Sequence, residues 1–122
     1  QVRSFMDYEH EDIDRVFKVN VITPLRVTHH MLQLMQKRSK GHVVFVSSLQ
    51  AMYSHPYMSV YASSKAAITN FAKSVRGELF HAGLSNMSMN VVNVGPIREA
   101  GAYDAMNLTI HNWYGSSTPR EV

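Results

Sequence analysis

The chain has no cysteine among its 122 residues. That excludes a disulfide framework, thiol catalysis and thiolate-held metals. Seven histidines do not fill the gap. His29 and His30 are adjacent, so on a helix they point about 100° apart. No two histidines stand four residues apart, and no metal site is expected. No run approaches the roughly 18 apolar residues of a membrane span, so no membrane segment is expected in this chain. The opening QVRSFMDYEHED is acidic, lacks an apolar block and does not begin with Met. Further sequence is therefore expected upstream, and a cytoplasmic location is the expectation. Net charge is only +3. Its one cluster, Lys37, Arg38 and Lys40, has no interleaved aromatics, which argues for a helix end rather than nucleic-acid binding. Glycine is also scarce, with 6 residues and no GxGxxG or longer-spaced equivalent. A phosphate-cradling turn is thus missing.

What is present reads as helix, strand, helix, strand and an irregular tail. From Glu9 to about Lys40, Ile13, Val16, Phe17, Val21, Leu25, Leu32 and Met35 recur at threes and fours, a helical period. Gly41 suits its end. Pro24 interrupts it, because proline cannot donate to the carbonyl four residues back. That residue is Asn20, so a kink is expected there, with the Asn20 carbonyl released. HVVFVS, residues 42–47, predicts a strand buried on both faces. Residues 49–58 read as a loop. About 59–81 predicts a second helix with Ile68, Phe71, Ala72, Val75 and Leu79 inward and Gly83 as its stop. Residues 89–94, MNVVNV, predict a second parallel strand, which Gly95-Pro96 ends. A helical crossover between parallel strands is a βαβ unit.

Within YASSK, Tyr61 precedes Lys65 by four residues. On a helix they share a face, where an ammonium favours the phenolate. Tyr61 is thereby a candidate proton donor or acceptor. Ser48 lies 13 residues upstream at the end of the apolar run. Ser47 competes with it, since either can cap a strand end, but the spacing favours Ser48. Ligands of open α/β sheets bind beyond the carboxyl ends of the strands. Ser48, Gly95, Tyr61 and Lys65 are therefore expected on one rim. Met52, His55 and Tyr57, in the loop before Tyr61, are candidates for a substrate pocket or for simple loop packing.

From about Tyr8 to Ile97 these motifs (VFKVNVITP, HVVFVSS, VYASSK and NVVNVGPI) resemble the short-chain dehydrogenase/reductase family. The resemblance implies an α/β, Rossmann-type doubly wound parallel sheet and a nicotinamide cofactor, NAD or NADP. It implies reversible hydride transfer between that cofactor and an alcohol/carbonyl pair. It assigns Tyr61 as general acid/base and Ser48 as the hydroxyl that polarises the substrate oxygen. Lys65 acts on Tyr61 and bonds the nicotinamide ribose. Asn20 holds a relay water through its main-chain carbonyl. Gly95, Pro96 and Ile97 stand at the cofactor loop, with Tyr61 and Lys65 also at the cofactor.

The departures set further expectations. Val94 stands where the family has Pro, and Glu99 where it has Thr. The missing glycine turn and the two visible strands suggest one partial Rossmann domain over residues 1–122. Its tail, 98–122, matches nothing. The main expectation is a small-molecule NAD(P)-dependent oxidoreductase, forming a homodimer or homotetramer through its two long helices if the fold is complete. The alternative is a truncated or pseudoenzyme form without cofactor binding, acting only as an interaction module.

Overall fold

The computed structural model describes residues 2–95. Pro96, Ile97 and Glu99, and the tail with them, lie outside the described residues. A short 3₁₀ turn, Phe5–Asp7, leads into helix α1, His10–Phe17. A π turn, Lys18–Ile22, joins α1 without a break to α2, Thr23–Arg38. Strand β1 is Gly41–Ser48, and a 3₁₀ turn over Leu49–Ala51 follows it. Helix α3 spans Ser59–His81 and returns the chain to β2, Met87–Val94. The strands pair in parallel, with Ser47 opposite Asn93 and Ser48 opposite Val94. Parallel strands with a helical crossover are the expected βαβ unit.

The core lies between α3, the end of α2 and one face of the sheet. Met35, Ala72, Val75, Leu79, Met87 and Met89 form its buried centre. Phe45 and Phe71 close it edge to face at 6.0 Å, a favoured aromatic geometry. Helix α3 ends as its sequence predicts. Gly83 takes φ 70°, and its N–H donates to the Phe80 carbonyl while that of Leu84 donates to Leu79, both at 3.0 Å. This paired arrangement is the Schellman stop, which glycine enters without a Cβ penalty.

Two expectations need correction, and a third takes a specific form. Gly41 does not stop α2; Ser39 does, in the left-handed region at φ 54°. Gly41 instead opens β1, where an added Cβ would stand 2.5 Å from Met35 Cε. Glycine is there because methionine packs onto its backbone. The irregularity expected from Pro24 takes the form of the π turn around Asn20, where the Thr23 N–H reaches the Lys18 carbonyl, five residues back. A π turn adds a residue to the helix without opening it. Nor is β1 buried on both faces. Val44 and Val46 are 57% and 65% exposed, and Val92 beside them is 51%. The reason is topological: helix α3 covers one face, and nothing among the described residues covers the other. No helix among the described residues is long and apolar enough to cross a membrane. None of them group as three or more metal-binding side chains.

Candidate active site

The carboxyl ends of both strands and the first turns of α3 meet at one end of the sheet. Tyr61 and Lys65 lie in the first two turns of α3. The Lys65 ammonium stands 5.7 Å from the centre of the Tyr61 ring and donates to the Val46 carbonyl at 3.2 Å. The i, i+4 spacing thus brings cation and phenol ring together, and the Val46 bond ties the lysine to β1 two residues before Ser48. Burial pushes the Lys65 pKa down from 10.5, because desolvation disfavours the charged amine.

The adjacent serines have different surroundings. Ser47 is buried. Its hydroxyl donates to the Lys65 carbonyl at 3.2 Å and meets Thr69 Oγ1 at 2.8 Å. It therefore fastens β1 to α3. Strand alternation turns Ser48 to the opposite side. There it is partly buried, accepts from the Gln50 N–H at 3.2 Å and, among the described residues, keeps its own O–H to give. The structure thereby separates a structural serine from a rim serine.

Asn20 reaches the same region from the π turn. Its Nδ2 donates to Ser64 Oγ at 3.0 Å, and Ser64 donates to the Tyr61 carbonyl at 2.7 Å. Ser64 is 0% exposed. A side-chain relay thus joins Asn20 to the backbone of Tyr61. The sequence reading assigned Asn20 a main-chain role and missed this one. A polar residue in line with Ile68, Ala72, Val75 and Leu79 was the available signal, since a buried hydroxyl demands a partner.

The pocket candidates are placed less uniformly. Met52 is exposed at the rim, with Asn93 Nδ2 3.5 Å from its sulfur. The Asn93 Oδ1 is buried without a partner among the described residues. His55 Nδ1 meets Gln50 Oε1 at 3.2 Å, as loop packing requires. Tyr57 is exposed and takes φ 66°. Gly95 lies exposed beyond β2, and a Cβ there would meet Leu49 Cδ1 at 3.6 Å.

The family model described as short chain dehydrogenase matches residues 1–107. The chain belongs to the short-chain dehydrogenase family. It is 39% identical over 99 residues to the short chain dehydrogenase MYCFIDRAFT_6125 of Pseudocercospora fijiensis, covering 79% of this chain and 31% of that protein. It is 36% identical over 87 residues to dehydrogenase/reductase SDR family member 7B of Mus musculus, covering 70% of this chain and 26% of that one. Among solved structures it resembles a short-chain dehydrogenase from Streptomyces avermitilis, with TM-score 0.74 and 28% identity over 80% of this chain and 35% of that chain. It also resembles an NAD+-bound xylitol dehydrogenase, with TM-score 0.69 and 26% identity over 75% of this chain and 34% of that chain. The chain therefore spans about a third of the length of the relatives it matches. Its parallel strands and helices are a part of the Rossmann-type α/β fold of those short-chain dehydrogenases.

Proposed function

We propose that this chain carries the catalytic side chains of an NAD(P)-dependent oxidoreductase that interconverts an alcohol and a ketone or aldehyde. The observation that carries this reading is the Lys65 ammonium, 5.7 Å from the Tyr61 ring and anchored on the strand that ends at Ser48. The similar xylitol dehydrogenase has NAD+ bound, and the residues here suit the nicotinamide half of such a cofactor. An ammonium has three N–H donors; the Val46 bond uses one and leaves others for ribose hydroxyls. Gly95 presents backbone without a side chain, and Asn93 Oδ1, without a partner among the described residues, offers a buried acceptor nearby. The glycine-rich pyrophosphate turn is not part of this sequence.

A bound nicotinamide supplies or accepts the hydride. The chain's own residues manage position and charge. Ser48 gives a hydrogen bond to the substrate oxygen, where negative charge develops during reduction. Tyr61 gives that oxygen its proton, or removes it in the reverse direction. Lys65 holds a positive charge beside the Tyr61 ring. Asn20, through Ser64, holds the backbone of Tyr61 against the π turn.

The test is Tyr61→Phe in the full-length protein, assayed by NADH and NADPH consumption across a panel of small ketones and aldehydes. Turnover should fall by about 100-fold or more, with cofactor binding retained in a fluorescence titration. Undiminished turnover refutes the assignment.

A second reading is non-catalytic: the chain binds no cofactor and associates through its uncovered apolar surface. The exposed Val44, Val46 and Val92 favour it. Saturable NADH or NADPH binding to this chain would exclude it. For self-association, α2 offers Val27, Met31 and Leu34, exposed at helical spacing. We propose this stripe as the contact of a homodimer or homotetramer. Met31→Glu should then reduce the mass found by light scattering, and an unchanged mass removes the proposal.

A further inference from the structure

The N-terminal segment makes a contact that the chemistry above does not use. Tyr57 stands at φ 66°, where a Cβ and aromatic ring are sterically disfavoured. Such a residue persists when its surroundings over-determine it. Its carbonyl accepts the backbone N–H of Arg3 at 3.0 Å. Arg3 is itself held twice. Its guanidinium pairs with Asp12 in the first turn of α1 and lies over the Tyr8 ring, 4.2 Å from the centroid. Asp12 also accepts from Arg15 at 2.5 Å. The hydrogen bond from Arg3, with its charge, keeps the Asp12 carboxyl below its usual range, so the pair is ionised at neutral pH.

The far side of this clamp is the start of α3. Met58 follows Tyr57 and caps the helix, and its carbonyl accepts the Ala62 N–H at 2.8 Å. Tyr61 stands in that same turn. We propose that Arg3 is a positioning residue: fixed on α1 by Asp12 and Tyr8, it holds Tyr57 in the left-handed region and so sets the direction in which Tyr61 enters the rim. This deepens the acid/base reading of Tyr61 and rests on it for function, but the clamp itself is measurable without any substrate.

The test uses the full-length protein carrying tyrosine labelled at the ring carbon that bears the hydroxyl. Arg3→Ala should shift and broaden the Tyr57 and Tyr61 carbon signals. Amide exchange of residues 57–62 should rise about tenfold, while β1 and β2 amides stay protected. Arg3→Lys keeps the charge but not the planar stack on Tyr8, so it should restore the signals in part. Tyr57→Gly removes the need for a clamp, because glycine enters this region freely. On that background Arg3→Ala should leave Tyr61 unmoved. Asp12→Asn tests the same link should Arg3→Ala fail to fold. A Tyr61 signal untouched by Arg3→Ala, or equal loosening of every protected amide, overturns the proposal. Loss of turnover in Tyr61→Phe is a separate result, so failure of the clamp and failure of the catalytic reading are told apart.

Discussion

Asn20 and Ser64, separated by 44 positions, share a 3.0 Å hydrogen bond that joins the π turn to the helix of the candidate acid/base. Ser64 spends its proton on the Tyr61 carbonyl, so Asn20 must be the donor. Asn20→Asp replaces that donor with an acceptor. It should destabilise the protein by about 1–3 kcal/mol, the cost of a buried polar group left unmatched. Chemical denaturation gives the value, and an unchanged midpoint would show that Ser64 finds another donor.

Proline at 24 deprives the Asn20 carbonyl of an N–H four residues on. Pro24→Ala restores that donor and lets 18–22 relax to ordinary α geometry. The expected structure has α1 and α2 as one α-helix and the Asn20 side chain turned off Ser64. A crystal structure of the variant that retains the π turn would assign its origin elsewhere.

Lys65 gives a pH signature. Burial lowers its pKa in the folded chain from 10.5, so just below 10.5 the unfolded chain binds more protons. Stability contributed by this site therefore rises with pH across that window, and below it the cost of burying the charge is fully present. Lys65→Met lacks this limb. The parent should gain on the variant as pH rises toward 10.5 in parallel urea titrations. A gain in the opposite direction would contradict the desolvation account.

Met35 occupies the space beside Gly41, with its sulfur 2.8 Å from where a Cβ would be. Gly41→Ala should cost about 1–3 kcal/mol by overpacking. Met35→Ala alone should cost about 2–5 kcal/mol through its cavity. Combined, the two should cost less than their sum. Strict additivity in thermal melts would mean that the contact is easily relieved.

Much of this was legible beforehand, for reasons that differ by element. The inward stripe of α3 and the glycine after it gave both helix ends, because burial and backbone handedness act locally. The rim followed from parallel-strand topology. Val44 and Val46 misled because a β-branched run reads alike whether or not anything covers its outer face. Ser39 was missed because glycine is the usual residue in a left-handed helix stop, whereas here the Ser39 N–H donates to Gln36 and that of Lys40 to Met35 without one. The 13-residue spacing already favoured Ser48 over Ser47, but the part Ser47 plays, fastening β1 to α3, shows only in the realised packing. The left-handed turn of Tyr57 carried no sequence signal: its carbonyl accepts from the backbone of Arg3, far away in the chain.

The π turn between Lys18 and Ile22 has one more consequence. Each helical residue rotates the axis by about 100°. Deleting any single position there would swing the whole outer surface of α2 around relative to α1, moving Val27, Met31 and Leu34 together. Length variation at this spot among relatives would therefore re-aim that surface together with Met35 in the core and Asn20 on its bond to Ser64.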